Sequence, residues 1–302
     1  MRWDDFRSSD NVEDRRGDGG GGGGGGFQMP GGRGGLGIGT IIIVGIVGWA
    51  LGINPALLIG GLEAINGMGG GNAPQQQAAP RTAPQGAPKD ELGRFAAAVL
   101  AQTEDVWTEL FRADGKTYQD PKLVLFSGAT RSACGGAQSA MGPFYCPLDQ
   151  KVYLDLSFFQ EMKTRFKAPG DFAAAYVIAH EVGHHVENLI GILPKVQQAQ
   201  ARASSRAEAN NLSVRVELMA DCLAGVWAYH ANARFRILEP GDVEEALNAA
   251  TAIGDDRLQK QSQGYAVPDS FTHGTSQQRV NWFTRGLKGG SMQQCNTFSG
   301  AI

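Results

Sequence analysis

From Gly34 to Leu62 the chain carries no charged side chain, and its densest part, Leu36–Ile53, includes Ile41-Ile-Ile-Val-Gly-Ile-Val-Gly-Trp-Ala-Leu51. An uncharged run of this kind has few stable environments, since it must be wrapped by a protein core or lie in lipid. A bilayer core of about 30 Å needs roughly 20 apolar residues as a helix, so the run spans if it continues a little past Ile53. A buried core helix or a cleaved signal peptide are the competing readings. Against the latter, the polar region ahead is long, and no small-x-small cleavage site follows at once. The expectation is a single transmembrane helix over residues 36–62.

The flanks of the run differ sharply from each other. Residues 1–35 are polar and glycine-rich, with consecutive glycines from Gly19 to Gly26. Such a segment cannot bury enough apolar area to offset its ordering entropy, so it reads as disordered. Residues 63–89, first Gly-rich and then rich in Pro, Gln and Ala, read as a low-complexity linker. Arg15, Arg16 and Arg33 precede the run, whereas the first basic residue after it is Arg81. That asymmetry predicts a cytoplasmic N-terminus in a bacterial inner membrane and an exported domain over residues 90–302. Gly48 and Gly52, four apart, offer a weak route to homodimerisation by close helix approach.

The remainder reads as an ordinary globular domain. With 27 basic against 30 acidic side chains and no basic stripe, nothing points to a nucleic-acid partner. Cys134, Cys146, Cys222 and Cys295 contain no Cys-x-x-Cys pair, which excludes a cysteine-based zinc ribbon. Their even number suits two disulfides in an oxidising compartment, or buried thiols in a reducing one. Helical spacing marks residues 91–113, with Phe95, Val99, Val106, Leu110 and Phe111 on the buried face. Lys122–Phe126 and Lys151–Leu156 read as strands. Asp171 is placed to cap a helix ending near Ile190, and further helices fit Ser205–Ala233, Asp242–Ala252 and Gln277–Leu287. The fold class is α+β: a helix-rich domain with a small sheet.

The chemistry concentrates in His180-Glu181-Val-Gly-His184. Residues four apart share a helix face, so both imidazoles can reach one Zn²⁺, and Glu181 beside them can take a proton from the attacking water. Glu187 and Ile190 occupy the positions where a metzincin has Gly and His, which excludes that class. A third ligand is supplied by Glu217-Leu-Met-Ala-Asp221, again four apart on a helical stretch. Glu217 can coordinate, while Asp221 can accept the second ring N–H of a ligand histidine. This order defines a gluzincin arrangement. His185 points away around the helix and reads as packing or surface, and His230 is about 20 Å further along the helix that carries Glu217. His273, in the loop Phe271–Arg279, is the candidate donor to the oxyanion, with Arg279 tying the loop down; Tyr145 and Tyr153 are weaker donors. By analogy with zincins, Lys151–Leu156 is the candidate edge strand along which an extended substrate adds.

Met1-Arg-Trp3, Ser9-Asp-Asn-Val-Glu-Asp-Arg-Arg-Gly17, Phe144–Asp155, His180–Glu187, Glu217–Cys222 and Thr272-His-Gly-Thr-Ser276 together resemble the bacterial neutral zinc metallopeptidases of the YpfJ family. The resemblance covers nearly the whole chain apart from the linker. It implies a single-span envelope protein with a zincin-like domain, and disulfides Cys134–Cys146 and Cys222–Cys295. The motif order is also similar to that of membrane-associated gluzincins related to the CAAX-processing proteases. The expectation is a membrane-anchored endopeptidase with one Zn²⁺, cutting polypeptides of the envelope. A membrane-tethered scaffold holding zinc structurally is the alternative, and Glu181 argues against it, because a structural site has no use for a general base.

Overall fold

A computed structural model describes residues 1–17 and 88–302. The apolar run, the linker up to residue 87, and Gly48 and Gly52 lie outside the described residues. Among the described residues no helix is long and apolar enough to cross a membrane.

The first departure from expectation is at the N-terminus. Residues 1–17 were expected to be disordered together with 18–35, yet Val12–Asp14 form strand β1. β1 lies parallel to β2 (Lys122–Phe126), with Val12 opposite Leu123 and Asp14 opposite Leu125. Two further elements were not expected, the hairpin β3 (Ala129–Ser132) and β4 (Gly135–Gln138), which pair antiparallel. β5 (Phe144–Cys146) runs antiparallel to β6 (Lys151–Asp155), giving the sheet order β1-β2-β6-β5. β6 therefore lies between β2 and β5. The expectation that Lys151–Leu156 forms a free edge is wrong, and the edges are β1 and β5.

Charge sets one end of this sheet. Lys122 and Lys151 face each other across β2 and β6, a like-charge pair that would destabilise the sheet if left alone. Glu13 on β1 answers both, at 2.8 Å from Lys151 and 3.6 Å from Lys122.

The helices are α1 (Glu91–Ala113), α2 (Ser157–Thr164), α3 (Asp171–Leu189), α4 (Ile192–Gln200), α5 (Arg206–Phe235), α6 (Asp242–Ala252), α7 (Asp255–Gln263) and α8 (Ser276–Gly289). α3 is the central element, because Phe172-Ala-Ala-Ala-Tyr-Val-Ile-Ala179 gives it apolar contact on every side, and all eight residues are buried. It starts one residue earlier than a capping Asp171 would allow: Gly170 is the N-cap, and Asp171 lies in the first turn, accepting from the Met1 amine at 2.6 Å. α5 packs against both α3 and α8, and α6 packs against α3. Both disulfides implied by the family resemblance are formed, Cys134–Cys146 and Cys222–Cys295. The second joins α5 to the turn after α8.

Two glycines set how closely α5 and α8 approach. A Cβ on Gly286 would lie 1.9 Å from the Cys222 carbonyl oxygen, and one on Gly225 would lie 2.2 Å from that of Phe283. Backbone meets backbone at this crossing, so no side chain can move aside. Gly286→Ala should destabilise the domain by about 1–3 kcal/mol. A fall in melting temperature of roughly 2–4 °C for each kcal/mol is expected by circular dichroism. An unchanged melting curve would show that the helices do not cross this closely.

Candidate metal centre

α3 and α5 cross at the motif. His180, Glu181, His184 and Glu187 come from α3, and Glu217 and Asp221 from α5. Gly183 permits the crossing, since a Cβ there would meet the Ala220 carbonyl oxygen at 3.0 Å and the Ala220 Cα at 3.1 Å. Ala220 sits between Glu217 and Asp221, so this contact fixes how near both carboxylates come to the histidines.

The candidate donor atoms converge. One donor atom from each of His180, His184 and Glu217 lies within 4.8 Å of the other two. His180 Nε2 is 3.2 Å from one oxygen of Glu217, and His184 Nε2 is 3.6 Å from the other. Ligands about 2.0–2.2 Å from a tetrahedral zinc lie roughly 3.3–3.6 Å apart, so each imidazole stands near that separation from the Glu217 carboxylate, although from different oxygens of it. Two imidazole nitrogens and a carboxylate also match the donor set of a catalytic site with an open fourth position. The residues fit the metal.

Each ligand histidine is held from behind by a carboxylate. His180 Nδ1 donates to Asp221 at 2.9 Å, and His184 Nδ1 donates to Glu187 at 2.8 Å, the roles that leave both Nε2 atoms free for a metal. The Asp221 contact was expected from the sequence, but the Glu187 contact was not. Glu187 is fully buried, and its Oε1 has no hydrogen-bond partner among the described residues. Burial pushes its carboxyl up to about 7 against the opposing pull of His184.

Electrostatics follow from this enclosure. Burial would lower His180, but Asp221 and Glu217 raise it to about 10. Burial raises the Glu181 carboxyl, although His180 and His184 pull it the other way, and a raised carboxyl suits a group that must accept and return a proton. Burial would also raise Glu217, yet His273, His184 and His180 hold it well below the usual carboxylate range.

The remaining candidates divide. His273 is held by Asp255, whose one oxygen accepts from the backbone N–H groups of Thr272, His273 and Gly274 at 2.7, 2.6 and 3.0 Å. Its other oxygen is 3.3 Å from the His273 ring. Burial would lower His273, but Glu217 and Asp255 raise it, which puts the ring in electrostatic reach of the ligand carboxylate. Gly274 adopts φ +89°, a left-handed turn that lets all three N–H groups converge. Asp255 was not foreseen, because an acid in the first turn of a helix is commonplace.

Arg279 anchors the end of the Phe271–Arg279 segment to α5 and not to the His273 turn itself. It is buried against Asp221, with Nε and a terminal nitrogen each 2.9 Å from a carboxylate oxygen. Tyr145 and Tyr153 are not oxyanion donors: Tyr145 bonds His185 at 3.0 Å, and Tyr153 donates to Asp149 at 2.7 Å. His185 is a packing residue that donates to the Gln119 carbonyl at 2.6 Å, and burial lowers it to about 4. His230 was expected to lie away from the metal centre, and it donates to the Gly290 carbonyl at 2.7 Å.

A His-Glu-x-x-His helix thus crosses a Glu-x-x-x-Asp helix and gathers the donor set of a candidate metal centre. The family model described as "Putative neutral zinc metallopeptidase" matches residues 1–298, and the chain belongs to that family. The Escherichia coli (strain K12) protein YpfJ is 54% identical over 304 residues, covering 100% of both chains. The Mycobacterium bovis protein Mb2605 is 47% identical over 195 residues, 61% of this chain and 64% of that one. No solved structure matches the chain.

If the Glu187 carboxylate orients His184, Glu187→Gln should weaken zinc binding by about 10–100-fold while the circular dichroism spectrum stays native. Competition with a chromophoric chelator measures this. An unchanged zinc affinity would leave the contact structural.

Proposed function

We propose that the chain is a zinc-dependent endopeptidase that hydrolyses polypeptides in an oxidising bacterial envelope compartment, attached to the membrane through residues 36–62. The observation that carries the chemistry is the convergence of one donor atom each from His180, His184 and Glu217 within 4.8 Å of one another, with the buried carboxyl of Glu181 next to His180 on α3. Two disulfides support the oxidising compartment.

His180, His184 and Glu217 would hold one Zn²⁺, which supplies Lewis-acid polarisation of water and of the scissile carbonyl. Glu181 acts as general base and takes the proton of the attacking water; the same carboxyl then passes it to the leaving amine. Its raised proton affinity serves both transfers. His273, oriented by Asp255, donates to the oxygen of the former carbonyl as negative charge develops there. Asp221 and Glu187 keep the ligand rings in the tautomer that presents Nε2.

Glu181→Gln preserves volume and removes the base. It should keep stoichiometric zinc while losing about 10²–10⁴-fold in cleavage of unfolded casein. Elemental analysis and a fluorescent casein assay read the two quantities. Zinc-loaded wild type that cuts neither casein nor any member of a broad peptide library would instead favour a scaffold.

A further inference from the structure

The N-terminal segment is built into the domain. Beyond the β1–β2 register, the Leu123 N–H donates to the Asn11 carbonyl and the Arg15 N–H to the Leu125 carbonyl, both at 2.8 Å. Val12 is buried in the main core, and Trp3 packs edge-on to Phe95 of α1 at 5.5 Å between ring centroids.

Polar contacts fix the segment as well. Glu104 is a buried carboxylate on the core side of α1. One of its oxygens accepts from Ser9 Oγ at 2.5 Å and Asn11 Nδ2 at 2.9 Å, and the other from Arg7 at 2.8 Å. All three donors belong to residues 1–17. Without that segment the domain would bury an unpaired carboxylate, a state that proteins avoid. The Glu13 contacts that neutralise Lys122 and Lys151 come from the same segment.

The two ends that flank the undescribed residues are also joined. Arg16 bonds Asp14 and reaches Asp90, the N-cap of α1, at 2.6 Å. The chain thus leaves the domain and re-enters it at one place. Arg15 and Arg16, two of the three cations that favoured a cytoplasmic N-terminus, are paired here with Glu13, Asp14 and Asp90.

We propose that residues 1–17 lie on the same side of the membrane as residues 88–302, as a structural part of the peptidase domain, which excludes one single crossing of the bilayer between the two parts. A three-strand parallel pairing cannot form through a bilayer, and both disulfides place the larger part in an oxidising compartment. The single-span orientation expected from the flanking arginines is then incompatible with the fold.

The test uses the full-length chain in bacterial spheroplasts, with Ser8→Cys and Ala201→Cys introduced separately at exposed positions. A membrane-impermeant maleimide is applied before and after lysis. Both sites should be labelled to the same extent from the same side; labelling of one and protection of the other overturns the proposal. Hydrogen exchange on the chain in sealed vesicles gives a second reading that needs no substitution. The Arg15 amide should exchange at least roughly 10²-fold more slowly than in a free peptide of the same sequence. Peptide-like exchange at Arg15 would show that the segment is not docked, which also overturns the proposal. Neither measurement depends on peptidase activity, so failure here leaves the assignment of the metal centre untouched.

Discussion

The structure turns on one buried carboxylate. Asp221 is fully inaccessible, and it accepts from Tyr176 Oη at 2.5 Å, His180 Nδ1 at 2.9 Å and two nitrogens of Arg279 at 2.9 Å. Those partners come from α3 and α8, while Asp221 itself is on α5, so one side chain ties together the three helices around the metal centre. Taking a carboxylate and a guanidinium out of water is costly, and the pair persists only where further hydrogen bonds satisfy both groups. Here they do. Burial would raise Asp221, but Arg279 and His180 hold it below the usual carboxylate range, and the anion then has both charge and geometry to fix the His180 ring.

That arrangement requires helices to approach closer than most side chains permit. Gly183 against Ala220 sets the α3–α5 crossing, and Gly225 and Gly286 set the α5–α8 crossing. The Cys222–Cys295 bond adjoins Asp221 in sequence and braces the second crossing. Small residues at the crossings and charged residues between them are therefore one device: the first brings the backbones together, and the second makes the separation specific.

Much of the site was legible because its determinants are local. The four-residue spacings of His180 with His184 and of Glu217 with Asp221 each define a helix face without reference to the rest of the fold. α1, β2 and α6 begin and end where spacing and capping signals put them. What escaped depends on contacts distant in sequence. Val12–Asp14 is a three-residue strand rich in acid and adjoins a glycine tract, so composition outweighed it; its evidence is its pairing with β2, far along the chain, and the bonds of neighbouring Asn11 and Ser9 to Glu104. Whether β6 is an edge depends on sheet order, which no property of Lys151–Asp155 encodes. Glu187 was considered only as the residue that excluded a metzincin. Its role was visible in principle, since a carboxylate three residues after a ligand histidine lies on that histidine's own face.

The charges around the crossing bring these strands together. Glu181, Glu187, Glu217 and Asp221 place four carboxylates in a buried region whose guanidinium is Arg279 alone among the described residues, and the other polar partners are imidazoles. Anions collected away from water raise one another's proton affinity unless a cation stands among them. Burial pushes Glu187 and Glu181 up and the Glu217 charge adds to it, while Glu217 and Asp221, which burial would also raise, are held down by the imidazoles and Arg279 that adjoin them. A divalent cation between His180, His184 and Glu217 would offset much of that excess, and both Nδ1 contacts already hold the rings in the tautomer that receives it. Seen this way, the carboxylates behind the histidines and the packing glycines serve one end, because each fixes an atom that the metal would otherwise have to move.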